Sequence, residues 1–545
     1  MPLKNRHLIC LLLFGLGSGL AAFGQEAPAI SDTESPGNTF DAAAQVGELR
    51  LRLDRLEAEN NSLRQSLTQF NQSQGVTPAS AEFWNSDTAC TSHCQCPNCA
   101  AAKDGKGDWK TVWNHGIEWV SPDKAFKVHI GGRTQFDSVW FGDAGNELEG
   151  TGGIAGTHHD QDAVGFRRAR LQATGTMYET IDYLLEFDFV NSTNRDSSNP
   201  NTEGNTINVP APTDLWVQFK EIPWIGTVRI GNAKEPIGFE HAASSRFLNF
   251  MERSYLQDLF AGPFNNGFSP GVMIFNNWAD QRGTWWLGGF KNGGNIFAYD
   301  VGDGEYAATG RVTYTPIFDE HEHQVFHIGI SGSVRDPDGN SNRFRTRSLR
   351  NGPGNLATVF ADTGSFTTEN QFLAGAEVAG VWGPLSIQAE WIGSWSEDAS
   401  SISGSTKGFG AAAPVTPLGT VYTNGYYAEA HYFLTGESRE YDRKNAAFGR
   451  VVPRRSFRWK DGCFEPGAWQ LAFRYGACDL RDGALNGGLL QEYVAGVNWF
   501  LNPNTKVQWN YVCTERDYQN PTDGLGFNVS DGLIHGFGMR LAHDF

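Results

Sequence analysis

What this chain lacks narrows its class before anything it contains. Past residue 24 there is no run of about 18 or more apolar residues, so no helix of bilayer length is encoded there. Positive charge is short. Removing residues 1–24 takes away Lys4 and Arg6 and no acid, which moves the net charge from −18 to near −20. Nucleic acid is therefore a poor partner, and the acidity reads as solubility and surface loops. His241, His323 and His431 are dispersed without a matching serine motif, so no nucleophilic constellation is expected. No cofactor-binding motif is present either, and the expected cofactor set is empty. Methionine is scarce, at five residues, whereas aromatic residues and glycine are not, with 37 Phe, 17 Trp and 64 Gly.

The start of the chain carries an address. Lys4, Arg6 and His7 precede an apolar run from Leu8 to Leu20, and small residues at Ala22 and Gly24 come before Gln25. That is the layout of a secretory signal peptide, predicted to span 1–24 and to be cleaved. Cys10 lies inside the apolar run instead of after it, so lipid anchoring is not expected. Residues 25–45 form a flexible leader rich in Ala, Pro, Ser, Thr and Gly. From 46 to 70, Val46, Leu49, Leu53, Leu56, Leu63, Leu67 and Phe70 recur three and four apart if Asn60 fills the gap. This is a heptad seam, and a core Asn fixes register at some cost in stability. The segment is predicted to join subunits; the competing reading is a lone amphipathic helix packed on the body.

Residues 71–112 form a linker that holds Cys90, Cys94, Cys96 and Cys99, with His93 among them. Such density suits a disulfide knot or a soft metal. An oxidising compartment favours disulfides within the cluster, and no second ligand pair at zinc-finger spacing supports metal.

From 113 to 545 the pattern changes to period two. In Lys127–Phe141, Val128, Ile130, Phe136 and Trp140 alternate with Lys127, His129, Arg133, Gln135 and Asp137. One face is apolar and the other polar. Sixteen such strands are predicted, near 127–141, 164–178, 181–189, 213–220, 226–234, 267–276, 283–291, 307–316, 324–335, 370–382, 385–395, 424–434, 468–478, 490–500, 505–513 and 532–545. Tight turns at Glu179–Thr180, Gly383–Pro384 and Asn502–Asn504 alternate with long polar stretches, apart from a long segment at 435–467 on the short-turn side. The last strand places Leu533, Phe537, Met539, Leu541 and Phe545 on one parity, an ending suited to a lipid interface. The fold class is all-β: a sixteen-stranded antiparallel transmembrane barrel preceded by a short coiled-coil helix. A mean hydropathy of −0.40 fits, because only alternate residues of a barrel strand meet lipid.

A barrel of this size encloses water, and its chemistry is a field set by lumen charges. Parity places Arg133, Arg168, Arg170, Lys220, Arg229, Arg311, Arg335, Arg474 and Arg540 on the polar faces, a column suited to guiding anions. Acids share those faces, among them Asp137, Asp182, Glu186, Asp188, Asp214, Glu377, Glu390 and Glu429, so the arginines could instead only brace the wall.

The stretches FKVHIGGRTQFD (126–137), FRRARL (166–171), GNAKEPIG (231–238), FMERS (250–254), TGRVTYTPI (309–317), RFRTR (343–347), YFLTGESREYDR (432–443), FGRVVP (448–453) and NWFLNPNTKVQWNYV (498–512) occur in the order of a known family. From about Trp113 to Phe545 the chain resembles the phosphate-selective porins O and P. The resemblance implies a sixteen-stranded outer-membrane barrel, a trimer, tolerance of the 435–467 segment, and a third external loop, 235–266, folded inward as a constriction. Lys234, Arg246, Glu252 and Arg253 belong to that constriction. Lys234 with Pro236, and Glu252 with Arg253, are expected to hold the loop in place. The loop carries Arg246 and Arg253 against Glu235, Glu240, Glu252 and Asp258, which departs from an arginine-lined phosphate eyelet. The expectation is passive diffusion of small hydrophilic solutes with a mild anion preference. The competing function is an envelope tether that uses the N-terminal segment to reach the cell wall and transports little.

Overall fold

The computed structural model describes residues 108–142, 162–190, 192–194, 206–208, 210–261, 267–291, 303–321, 323–337, 341–347, 360–402, 415–517 and 532–545. The expected signal peptide (1–24), leader, helix at 46–70 and the cluster Cys90, Cys94, Cys96 and Cys99 lie outside the described residues.

A short hairpin, β1 (Lys110–Trp113) and β2 (Ile117–Val120), comes first and pairs with the start of β3. Sixteen long strands follow. They are β3 (Lys127–Phe141), β4 (Ala163–Met177), β5 (Ile181–Asp188), β6 (Ala211–Ile222), β7 (Gly226–Lys234), β8 (Phe268–Trp278), β9 (Gly283–Lys291) and β10 (Tyr306–Asp319). The second half is β11 (Gln324–Arg335), β12 (Asn370–Trp382), β13 (Leu385–Ser401), β14 (Pro417–Phe433), β15 (Ala468–Asp482), β16 (Leu485–Asn502), β17 (Thr505–Asp517) and β18 (Gly532–Asp544). Each pairs antiparallel with the next, and β18 returns to β3 from Gly536↔Phe141 to Asp544↔Arg133. The sheet closes on itself. Closure leaves no unpaired edge, which is what a strand-built structure needs in lipid, where no water can satisfy backbone groups.

All sixteen strands coincide with the stretches read from alternation. Several strands run past those stretches: β14 starts at Pro417 where the alternation begins at 424, β13 reaches Ser401 where it stops at 395, and β15 and β16 run on to Asp482 and Leu485 where it stops at 478 and resumes at 490. A bulge between Asp479 and Arg481 and the adjacent Gly487 and Gly488 break the period there. The outward face is apolar: Phe136, Phe166, Leu171, Ile230, Val272, Leu287 and Ile330 are exposed. Aromatic pairs gather near the strand ends, with Trp469 stacked on Trp499 at 5.1 Å and Trp140 on Phe537 at 5.9 Å. Such girdles mark the interfaces of a membrane barrel.

Three connections turn into the lumen. The loop after β7 carries a one-turn helix, α1 (Phe239–Ala242), and a π-helical turn, Gln257–Ala261. Its Leu256, Leu259 and Phe260 bury against Ile392, Tyr427, Leu480 and Leu490 of the wall, and against Phe344, Phe360 and Phe366 from the connection between β11 and β12. From the other end, the 434–467 segment between β14 and β15 inserts Phe448 beside Phe239, Val325 and Val381. The two connections touch: the Phe239 and Phe448 rings lie 5.2 Å apart, edge to face.

Candidate functional site in the barrel lumen

Gly238 opens the inward loop at φ 72°, a left-handed conformation that glycine adopts without cost, and a side chain there would run into the Glu390 carboxylate. Two cations then tie the loop to itself. Lys234 donates to the carbonyls of His241 (2.7 Å) and Ala243 (2.9 Å), and Arg253 donates to those of Glu240 (2.9 Å) and Ala243 (2.6 Å). Neither has a carboxylate within ion-pair distance among the described residues.

Glu252 ties the loop to the wall. It meets Arg167 at 3.0 Å, Arg168 through both terminal nitrogens at 3.0 Å, and Arg540 at 2.8 Å. Alternation alone sends one of two consecutive arginines outward. Here the register shifts between Gln135↔Arg168 and Phe136↔Phe166, so Arg167 is the extra residue of a bulge and both guanidinium groups reach Glu252. Glu235 is held by Arg335 (2.9 Å), Ser269 (2.9 Å) and Thr309 (2.8 Å), and Asp258 meets Arg347 at 3.7 Å. The loop's acids are thus largely spent on the wall.

Most wall arginines are also paired. Arg133 and Arg170 share Glu186 at 2.9 Å each, Arg170 takes Asp188 at 2.7 Å, Arg311 takes Glu377 at 2.6 Å, and Arg540 takes Asp137 at 2.6 Å. Arg229 differs. Among the described residues it bonds only the neutral Gln218, at 2.8 and 3.0 Å, and it lies over the Trp216 ring at 4.0 Å.

Beside the loop a cavity of about 330 Å³ opens along β3 to β10. Arg133, Arg168, Arg170, Arg229 and Arg311 of the wall and Lys234, Arg246, Glu252 and Arg253 of the loop region all line it. Eight cationic side chains face it against four carboxylates, Glu186, Asp214, Glu235 and Glu252. Four residues of the arginine column lie away from it: Lys220 meets Asp182 at 2.9 Å, Arg335 is spent on Glu235, Arg474 meets Glu492 at 3.1 Å on the opposite wall, and Arg540 sits beneath the loop.

Arg439, from the 434–467 segment, was not legible as a lumen residue, because no alternation links that segment to the barrel. It donates to Gln388 Oε1 (3.2 Å) and to the Phe247 carbonyl (3.3 Å), and its guanidinium covers the Phe448 ring at 3.9 Å. Burial pulls its pKa down to about 10 while Glu429 opposes the fall, so it stays charged at neutral pH. Among the described residues no group of three or more metal-ligating side chains occurs.

Residues 146–542 match the family model described as phosphate-selective porin O and P. The chain belongs to that family. This porin is 24% identical to Porin O of Pseudomonas aeruginosa over 79% of its own length and 91% of that protein's. It is 23% identical to an uncharacterized protein of Caulobacter vibrioides, over 100% and 99% of the two chains. Among solved structures, an anion-selective porin from Comamonas acidovorans is 11% identical with a TM-score of 0.40, covering 77% of this porin and 100% of that chain. Family and closed barrel make the protein an outer-membrane channel for solutes.

Proposed function

We propose that this channel passes small hydrophilic solutes by diffusion, prefers anions, and lacks the dense arginine eyelet that a tight phosphate site needs. The observation that carries the preference is the excess of cations in the lumen cavity, eight against four, with the loop acids Glu235 and Glu252 locked onto arginines. A narrow passage between low-dielectric walls concentrates the field of its uncompensated charges. Those charges centre on Arg229, Lys234 and Arg253. The paired Arg133, Arg168 and Arg170 brace the wall while still lining the path.

The reading extends to assembly and export. The signal peptide at 1–24 is cleaved, the mature chain forms a trimer of barrels, and it carries out no bond chemistry. The test is the reversal potential in a planar bilayer under a potassium chloride gradient. An anion-directed potential that collapses toward zero at high salt supports the proposal; a cation-directed one overturns it. A tether with a closed barrel would give no single-channel current at all.

A further inference from the structure

We propose that the lumen cavity selects organic anions with a flat aromatic body, aromatic carboxylates above all, over inorganic anions of the same charge. This rests on the anion reading above and names the substrate class of the same site.

The wall opposite the loop is unlike a hydrated anion path. Lumen parity on β6, β8 and β9 places Trp216, Met273, Phe275 and Trp286 inward, and Trp216, Met273 and Trp286 line the cavity directly. The registers set these side chains in rows: Arg229 stands opposite both Gln218 and Met273, while Trp286 stands opposite both Phe275 and Arg311. Cations lie over the rings. Arg229 sits 4.0 Å from the Trp216 ring centre and 5.0 Å from that of Phe275, and Arg311 sits 5.2 Å from that of Trp286. At the basic corner, Phe268 lies 5.8 Å from Arg170 and 6.0 Å from Lys234.

Small hydrated anions gain nothing from such a surface. Their recognition needs several donors converging from different sides, and here most donors are committed. Arg170 serves Glu186 and Asp188, Arg168 serves Glu252 and Gln135, and Lys234 and Arg253 serve carbonyls of the loop. Arg229 combines a neutral side-chain partner with an aromatic platform: it directs Nε and Nη2 to Gln218, leaves Nη1 without a bond among the described residues, and lies over Trp216 and Phe275. A carboxylate can take that nitrogen while the ring it is attached to lies along Trp216 and Trp286. Of the four cavity carboxylates, Asp214 is the one with no cation at ion-pair distance among the described residues; it accepts from Trp216 Nε1 at 3.1 Å, which fixes the indole plane. At about 330 Å³ the cavity stands at the small end of ligand-sized sites, which run from about 300 to 1,000 Å³. That is room for one ring and its carboxylate.

The experiment measures block of the chloride current through the full-length mature protein in a planar bilayer by sodium benzoate, sodium acetate and inorganic phosphate. Benzoate is expected to block at a concentration about five-fold below acetate, the size of one aromatic stacking contact, and below phosphate. Trp216→Ala is expected to bring the benzoate-to-acetate ratio near one, and Trp216→Phe to keep most of it. Because the ratio is taken within each variant, a general loss of conductance cancels. Equal block by benzoate and acetate in the wild type, or strongest block by phosphate, overturns the inference and leaves the anion reading standing. A cation-directed reversal potential in potassium chloride alone overturns that reading and this inference with it. A ratio that survives Trp216→Ala also overturns the inference, since the indole would then not be the platform.

Discussion

At the scale of single residues, Glu252 is where loop and wall meet. One carboxylate faces Arg167, Arg168 and Arg540, all buried. Removing one partner of a buried ion pair leaves charge uncompensated and costs about 3–5 kcal/mol. Glu252→Gln is therefore expected to lower the unfolding midpoint of the detergent-solubilised protein and to make the pore more anion-selective, because three guanidinium groups lose a shared counter-charge while Arg540 keeps Asp137. A reversal potential that moves toward cations in this variant would contradict the assignment. The reciprocal change has the opposite sign. Arg168→Gln with Arg170→Gln strips cations from Glu252, Glu186 and Asp188, and the reversal potential should shift toward cations at 0.1 M salt. The shift should shrink at 1 M, where the screening length falls to about 3 Å. An unchanged potential would mean that the pair only braces the wall. The arginines themselves were readable from strand parity, but Arg167 was not, since a bulge is a departure from the period on which that reading relies.

Among the elements, the 434–467 segment stands out. In the sequence it is a topological irregularity, a long connection where a short turn is due. In the fold it is one of the three inward connections: Phe448 packs on Phe239, Tyr441 Oη meets His327 Nδ1 at 2.7 Å, and Arg311 donates to the Ala446 carbonyl at 2.9 Å. Replacing residues 437–465 with a four-residue turn between β14 and β15 is expected to raise single-channel conductance and to lower thermal stability, because buried Phe448 and Arg439 leave the lumen. Unchanged conductance would show that ions bypass this segment. Short-range pattern could not reveal the insertion. Its lumen contacts reach from Gln388, 51 positions away, to Phe239, more than two hundred positions away, and its own residues follow neither a two- nor a three-to-four-residue period.

On the scale of the whole molecule, closure of β18 onto β3 turns sixteen locally specified strands into a channel. An assembly of three such barrels is the expected working unit. Chemical crosslinking of the mature protein in mild detergent should give a band of three subunits that persists when residues 25–112 are removed, if barrel walls alone suffice to join them. A trimer lost with that segment would assign assembly to the N-terminal residues, 46–70 with their heptad seam among them, and a monomer in both cases would remove the trimer.

The amino-acid order by itself determined the barrel, its strand count and the inward or outward sense of nearly every strand side chain. Those properties follow from a period of two and from the need to satisfy every backbone group in lipid, and both are local. Which lumen charges remain effective was decided only by the tertiary structure. The loop acids outnumber its bases in sequence, yet Glu235 and Glu252 are cancelled by Arg335, Arg167, Arg168 and Arg540, up to 288 positions away. Arg133, Arg170 and Arg311 are likewise matched by wall carboxylates, and among the described residues the cations left without such a match include Arg229, Lys234, Arg253 and Arg439. Pairing depends on which side chains a folded loop brings within about 4 Å of the wall, where Coulomb energy in a low dielectric is large, and no local pattern encodes that distance.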